Sequence, residues 1–389
     1  MRILKVIIST PENMEGAVRA GMNLANHLDR EVTVDVVKMS GDSDEKLVNE
    51  VGMNFGMYNI SSIKFMPDFL DVLNIDTQTN FENSLIFTYL DPPSPLHDYD
   101  VVHIHNSIPI FALVICVIQC RLKGVPYVFT THEISKIYEW PEYLNMGAAG
   151  EFLFKQVYLR LYESVIRGAE HIISLSNSDK ETLRKKFPNQ DVSVIPNGVS
   201  FEKCDNEVDV ESVTGRPILL FVGKIIESKG VLELINAVDG IKHDFSLFIV
   251  GPESDPSLVA EIENNCDDRI RFEGYVSKNR LRQLYQFSDI FVFPTKSDVF
   301  PLVTLEAMAA GTPVISTSVG GIPEQITPET GILINPGNTS ELTNAINKLL
   351  IEEEMRLEMG KNARDRATNE YSWRSVANDT INVYRTVID

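Results

Sequence analysis

Residues 289–317, DIFVFPTKSDVFPLVTLEAMAAGTPVIST, decide which fold the chain adopts. The run DIFVFPT is almost continuously apolar, which is typical of a parallel strand buried on both faces. Pro301 suits the first turn of a helix, because its missing N–H would be unpaired there. Gly311 is placed to end that helix, and PVIST follows as a second buried strand. The stretch therefore predicts a strand–helix–strand unit of a parallel α/β sheet.

The same alternation extends from this stretch over the whole chain. Strand-like runs at 217–223, 245–251 and 270–274 precede it and are separated by helix-like segments. The first half repeats the pattern, from the opening ILKVIIS through VVHIH to HIISLS. We therefore expect an α/β protein of two Rossmann-like, doubly wound domains that face each other across a cleft.

The boundary between these domains follows from composition, because residues 200–216 are acidic and carry little apolar content. Ser178 with Glu181, and Asn338 with Glu341, form capping-box patterns that predict the starts of two helices. The predicted segments are an N-terminal Rossmann-like domain (1–199), an acidic linker (200–216), a C-terminal Rossmann-like domain (217–370) and a terminal helical segment (371–389).

Charge and hydropathy limit the classes of function. The chain has 389 residues, of which 55 are acidic and 35 basic, so that its net charge is −20. Such a surface argues against general nucleic-acid binding, which needs many phosphate-neutralising Lys and Arg side chains. The longest apolar run, 108–118, falls short of the ~20 residues that cross a bilayer, and the N-terminal run is too short for a signal peptide. We expect a cytoplasmic protein.

The cysteines support the same compartment. The chain has four cysteines and no CxxC pair, which favours buried free thiols over a disulfide or a metal site. They are Cys116, Cys120, Cys204 and Cys266.

Two lysines follow the first strand of the second half. Lys224 and Lys229 flank a short loop after FVG, and Gly230 leads into a helix. A helix N-terminus offers unpaired N–H groups and the positive end of a dipole, so lysines beside it would suit a diphosphate. The alternative is that both lysines are solvated loop residues.

Two carboxylates follow in the opening stretch. Asp298 lies in the loop before the predicted helix, and Glu306 lies one turn after Leu302 on the same face. A ligand with hydroxyls at both ends and a phosphate in the middle, such as a nucleotide sugar, fits this layout. The alternatives are an exposed salt bridge at Glu306 and a glycosidase pair, which needs carboxyls about 5–9.5 Å apart across a sugar ring.

The chain resembles family 4 of the retaining glycosyltransferases, whose fold is called GT-B. The resemblance lies in VGKIIESKG, IPNGV (195–199), SDVFPLVTLEAMAAGTPVISTSVGGIPE (297–324) and YSWRSVA (371–377), and more weakly in DVVHIHN (100–106), FTTHE (129–133) and AEHIISLS (169–176).

This resemblance implies that residues 1–199 form the acceptor domain, that 217–370 form the donor domain, and that 371–389 form a helix that crosses back to the first domain. It also implies a role for each matching residue. Glu306 would bind the ribose hydroxyls, Asp298 would contact the donor sugar, and Lys224 and Lys229 would hold the diphosphate. His132 would face the reacting sugar, which makes His132, Asp298 and Lys229 the candidate catalytic residues. The backbone that meets the donor would come from Val299, Phe300, Pro301, Leu302 and Val303.

The chain departs from the family pattern at three places. Asp298 replaces a Glu, Lys224 replaces an Arg and cannot make its two-pronged contact, and Glu15 with Gly16 replaces a Gly-Gly pair. Gly16 and His105 are the candidates for an acceptor or phosphate loop. For His105 a structural hydrogen-bonding role is the favoured alternative, because a histidine on a strand more often has that role than a catalytic one.

The sequence thus predicts a metal-independent hexosyltransferase. It would move a sugar with retained configuration from a UDP- or GDP-sugar to a hydroxyl acceptor, without a cofactor, in the synthesis of a cell-envelope glycan or glycolipid. Residues 180–186 would contact an anionic membrane or form a solvated helix face. The alternatives are a non-catalytic nucleotide-sugar sensor and a nicotinamide dehydrogenase. The latter expects GxGxxG after the first strand, where the chain has STPENMEGAV.

Overall fold

The structure is a computed structural model in which the chain forms two compact units. Unit 1 consists of Met1–Pro196 together with Trp373–Asp389, and unit 2 consists of Asn197–Ser372. The described residues are 1–7, 16–28, 32–39, 57–60, 62–64, 86–88, 94–105, 110–132, 134, 137–138, 141, 147–202, 217–265 and 268–389.

The strands take up the predicted apolar runs. In unit 1 they are β1 (Arg2–Ile7), β2 (Thr33–Met39), β3 (Met57–Ile60), β4 (Ser62–Lys64), β5 (Ile86–Thr88), β6 (Val101–His105), β7 (Tyr127–Thr131), β8 (His171–Ser174) and β9 (Val192–Val194). In unit 2 they are β10 (Ile218–Val222), β11 (Ser246–Val250), β12 (Ile270–Gly274), β13 (Ile290–Phe293), β14 (Val314–Thr317) and β15 (Gly331–Ile334).

Helices connect these strands, as the alternating pattern predicts. In unit 1 they are α1 (Gly16–Leu28), α2 (Ile110–Lys123), α3 (Ala148–Leu153), a π-helical turn (Phe154–Leu159), α4 (Arg160–Gly168) and α5 (Asn177–Lys186). In unit 2 they are α6 (Val231–Asp239), α7 (Pro256–Asn265), α8 (Lys278–Phe287), α9 (Leu302–Ala310), α10 (Ile322–Gln325), α11 (Thr339–Ile351) and α12 (Glu353–Glu370). The last helix, α13 (Trp373–Ile388), belongs to unit 1 and packs on α1.

Each unit contains one large parallel sheet with a reversal in its strand order. Within the described residues, the order is β3-β2-β1-β6-β7-β8-β9 in unit 1 and β12-β11-β10-β13-β14-β15 in unit 2. The strand order reverses between β1 and β6 and between β10 and β13, and open α/β sheets bind ligands at such switch points. The predicted doubly wound α/β class is therefore confirmed for both units.

Two local predictions at helix starts need correction. Ser176, not Ser178, caps α5, because its extended backbone lets its hydroxyl accept the Asp179 N–H at 3.2 Å. Pro301 is the residue before α9 rather than part of its first turn, since its ψ of 138° is extended. Gly311 ends α9 and Asn338 caps α11, so both of these predictions are confirmed.

The cores of both units are apolar, and unit 1 contains an exception. One face of its sheet and the helices α2 and α4 bury a continuous cluster that includes Leu4, Ile104, Phe129 and Tyr162. The other face of β1 and β6 carries buried polar side chains, among them Lys5. Cys116 and Cys120 are buried free thiols on α2, as predicted; Cys204 and Cys266 lie outside the described residues.

Candidate active site

The loop after β10 packs directly on the end of β13 at the switch point of unit 2. A 3₁₀ turn, Glu227–Lys229, ends at Gly230, whose φ is +74°. A Cβ at Gly230 would lie 2.0 Å from the carbonyl oxygen of Pro294, so only glycine allows this approach. This close approach brings Lys229, in the loop after β10, next to Asp298, in the loop after β13.

Lys229 and Asp298, both predicted from sequence, form an ion pair at this point. Nζ of Lys229 donates to Oδ2 of Asp298 at 2.7 Å, and the two side chains are 20% and 19% exposed. The Thr295 hydroxyl donates to the same Oδ2 at 2.7 Å, and its oxygen also lies 3.2 Å from the Ser228 carbonyl oxygen. An ammonium has three N–H donors, so Lys229 retains donors beyond the one that Asp298 accepts.

The segment 299–303 leads from this pair into α9. Val299, Phe300 and Leu302 are buried, and Pro301 has no N–H to donate. The Pro301 carbonyl accepts from the Thr304 hydroxyl at 2.9 Å and from the Gln325 amide at 3.0 Å. These bonds fix the start of α9, where the first N–H groups, including that of Val303, have no partner within the helix.

Glu306 is half-buried on α9, four residues after Leu302. Its Oε2 accepts from the Tyr285 hydroxyl at 3.0 Å, so the neighbour that orients it is a phenol on α8. Lys224, also half-buried, lies two residues after β10. The structure therefore places the predicted donor-binding residues of unit 2 around one switch point.

Unit 1 brings the other predicted residues to its own switch point. His105 ends β6 and His132 follows β7; their Nε2 atoms are 2.8 Å apart. Nε2 of His105 is also 3.1 Å from the carbonyl oxygen of Ala17, beside Gly16 at the start of α1. Glu15, which precedes Gly16, lies outside the described residues.

This face of the sheet also carries a buried polar cluster that was not predicted from the sequence. Its members are Lys5, His103, Thr130 and, from α13, Tyr384. Nδ1 of His103 is 2.6 Å from the Tyr384 hydroxyl and 3.3 Å from Nζ of Lys5, and Nε2 is 2.7 Å from the Thr130 hydroxyl. The lysine in the apolar run ILKVII is the feature of the sequence that could have revealed this cluster, because a charged side chain on a buried strand is costly unless it has polar partners.

Burial decides the protonation of this face. It lowers the pKa of His132 to about 3 and the pKa values of His103 and His105 well below their ordinary value. It also lowers the pKa of Lys5 to about 7, because a buried ammonium loses its hydration. The three imidazoles are therefore neutral at pH 7.

The described residues offer neither a cluster of metal ligands nor a membrane-spanning helix. Across the described ranges, no three His, Cys, Asp or Glu side chains are arranged to hold a metal ion. None of the described helices combines the length and hydropathy needed to cross a bilayer.

Known proteins resemble the chain in sequence and in fold. The Glycosyltransferase Family 4 model matches residues 14–203, and the Glycosyl transferases group 1 model matches 204–366. An uncharacterized glycosyltransferase of Methanocaldococcus jannaschii is 30% identical over 315 residues, which cover 75% of this chain and 76% of the relative. Alpha-maltose-1-phosphate synthase of Mycolicibacterium smegmatis is 27% identical over 296 residues, 68% and 74% of the two chains.

A solved structure extends the likeness to the fold. HepE of Anabaena, solved with UDP-glucose, matches with a TM-score of 0.73 at 18% identity and covers 98% of this chain and 99% of its own. The fold and the family models together define the class as the GT-B glycosyltransferases. The chain belongs to glycosyltransferase family 4, and the predicted resemblance is confirmed.

Proposed function

We propose that this glycosyltransferase moves a sugar from a UDP- or GDP-sugar to a hydroxyl acceptor, with retention of configuration and without a divalent metal. The observation that carries the proposal is the Lys229–Asp298 pair at the switch point of unit 2, beside the start of α9. Together they offer a cation and unpaired N–H groups to a diphosphate, and a carboxylate to sugar hydroxyls.

Each donor-binding residue has a role that its chemistry supports. Lys229 and Lys224 would neutralise the diphosphate, and the N–H groups near Val303 would bind its oxygens. Asp298 would accept from a sugar hydroxyl, and Glu306, oriented by Tyr285, would accept from the ribose hydroxyls. Pro301 would contribute van der Waals contacts and no backbone hydrogen bond to the donor, since it lacks an N–H.

Retention is the outcome that the family resemblance implies. The new bond between the acceptor oxygen and the anomeric carbon would form on the face from which the diphosphate oxygen leaves. The acceptor hydroxyl would give its proton to the departing diphosphate. Lys229 would stabilise the charge on that leaving group, which is where electrostatic catalysis is most effective.

The named relatives support a nucleotide-sugar donor. The Anabaena structure holds UDP-glucose, which is such a donor. We propose a cytoplasmic enzyme whose acceptor is a glycan or lipid-linked sugar of the cell envelope. On α5, Arg184 and Lys185 are exposed and could contact the membrane face, while Lys186 lies 3.5 Å from the Tyr138 ring centroid.

The test is incubation of the purified chain with a panel of UDP- and GDP-sugars and a panel of hydroxyl acceptors, both free and lipid-linked sugars, in the presence of EDTA. We expect release of one nucleoside diphosphate from one donor, and NMR of the product should show the donor's anomeric configuration. Loss of activity in EDTA, restored by Mg²⁺ or Mn²⁺, would contradict the metal-independent step. Binding of a donor without transfer to any of the acceptors would favour the alternative function, a non-catalytic nucleotide-sugar sensor.

A further inference from the structure

His105 makes two contacts through one nitrogen. Its Nε2 lies 2.8 Å from Nε2 of His132 and 3.1 Å from the carbonyl oxygen of Ala17. The two rings meet edge-on, with centroids 4.4 Å apart. Two ring nitrogens at this distance need one hydrogen between them, because two lone pairs or two N–H groups would repel.

The Ala17 carbonyl decides which ring carries that hydrogen. A carbonyl oxygen only accepts, so its position favours an N–H at Nε2 of His105, whose single hydrogen is then shared between the Ala17 carbonyl and Nε2 of His132. Nδ1 of His105 is buried and has no hydrogen-bond partner within the described part of the chain. A bare ring nitrogen tolerates that setting better than an N–H would, since buried donors without acceptors are rare. Both observations assign the hydrogen of His105 to Nε2.

The assignment fixes the hydrogen on His132. Its Nε2 accepts from His105, and burial keeps its ring neutral at pH 7 by lowering its pKa to about 3. A neutral imidazole carries one hydrogen, which must then be on Nδ1. Free histidine in water prefers the Nε2–H tautomer, so this environment selects the less common form.

Helix α1 holds the His105 ring in place. A Cβ at Gly21 would lie 2.8 Å from Cδ2 and 3.2 Å from Nε2 of His105, so the helix backbone packs closely against this edge of the ring. One turn earlier, the same helix supplies the Ala17 acceptor. The start of α1 therefore controls the orientation of His105, and through it the orientation of His132.

We propose that His105 is a positioning residue that holds His132 in the Nδ1–H tautomer, so that His132 presents a fixed N–H donor to a sugar hydroxyl at the switch point of unit 1. The catalytic meaning of this N–H rests on the proposed function, whereas the tautomer rests on the geometry. His132 would then act as a neutral hydrogen-bond donor and not as an acid that cycles through imidazolium.

The test is ¹⁵N–¹H NMR of the histidine rings in the full chain labelled at histidine, with His132 assigned from the signals lost in His132→Asn. The wild type should show His132 protonated on Nδ1 from pH 6 to 8. An Nε2–H signal for His132 in the wild type would overturn the proposal, whatever the variants do.

Variants separate positioning from packing. His105→Leu should shift His132 toward Nε2–H and lower kcat at least tenfold. His105→Gln, whose amide N–H reaches a similar distance, should restore the tautomer and most of the rate. Tyr384→Phe, which removes a buried bond to His103 on the same face, should leave the tautomer unchanged. Equal tautomers in wild type and His105→Leu would contradict the proposal.

The tautomer assignment and the proposed function can be contradicted separately. If no nucleotide sugar is turned over while His132 is Nδ1–H, the proposed function fails and the tautomer assignment stands. If turnover is found while His132 is Nε2–H, the function stands and the positioning role is overturned.

Discussion

The switch points of the two units use polar side chains in opposite ways. In unit 2, Lys229 and Asp298 are charged and each about one-fifth exposed (20% and 19%). In unit 1, Lys5, His103 and His105 are almost fully buried, and burial has lowered all of their pKa values. The same sheet topology therefore supports an open charged pair in one unit and a closed, largely neutral network in the other.

The difference follows from what each arrangement can do. A partly exposed ion pair can exchange a hydrogen bond for a ligand phosphate at low cost. A buried network cannot change its charge cheaply, but its hydrogen bonds fix side-chain orientation. We infer that unit 2 supplies charge to the reaction and unit 1 supplies orientation.

The largest expected effect is at the charged pair. Lys229→Ala should raise the barrier to transfer by about 2–4 kcal/mol, because the leaving diphosphate loses a charge-assisted contact. The matched control is Lys296→Ala, which removes a lysine that pairs with Glu227 and Glu233 instead. Steady-state rates of both variants test this assignment. Equal losses of rate would show that the reaction depends on the local net charge and not on a specific contact of Lys229.

Lys5 tests the buried network. Lys5→Met should raise the free energy of unfolding by about 1–4 kcal/mol at pH 7, because it removes a buried amine that the unfolded chain protonates freely. The folded pKa of about 7 lies below the unfolded value, so the wild type should gain stability as pH rises from about 7 toward 10.5.

The stability difference between Lys5→Met and wild type should therefore shrink over that pH window. Urea unfolding at several pH values measures it, with the exposed Lys123→Met as the control that stays within about 0.5 kcal/mol. A destabilised Lys5→Met protein at pH 7 would show that the ammonium is bound more strongly than burial and His103 imply.

Variants of Asp298 test whether the site in unit 2 requires a negative charge at this position, in contrast to the largely neutral network of unit 1. Asp298→Asn should lower the rate well over tenfold, since it removes both the sugar acceptor and the partner of Lys229. Asp298→Glu should retain measurable activity with a changed sugar preference, because the carboxylate moves outward by about one methylene. Wild-type turnover in Asp298→Asn would reduce the residue to a loop-stabilising role.

The smallest expected effect is at Tyr285. Tyr285→Phe removes the hydroxyl that orients Glu306, and one hydrogen bond contributes about 0.5–1.5 kcal/mol. Affinity for the free nucleoside diphosphate should fall several-fold while the melting temperature changes little. Unchanged affinity would mean that Glu306 does not need this partner.

Local patterns predicted most of the fold and the charged half of the site. Continuous apolar runs identified the strands, and Lys229 and Asp298 were found because each follows a buried strand. The Tyr384–His103 bond joins residues 281 positions apart, so no local spacing indicates it. The cap of α5 was misplaced by two residues because Ser176 and Ser178 offer the same chemistry, and backbone geometry decides between them.

The account's central claim is that unit 2 supplies the charge that binds the donor. Calorimetric titration of UDP and GDP in EDTA, into wild type, Lys229→Ala and His132→Ala, tests it most directly. We expect one nucleoside diphosphate to bind the wild type with 1:1 stoichiometry, to bind Lys229→Ala at least tenfold more weakly, and to bind His132→Ala as it binds the wild type. Equal affinity of the wild type and Lys229→Ala, or no binding of either diphosphate, would contradict the account.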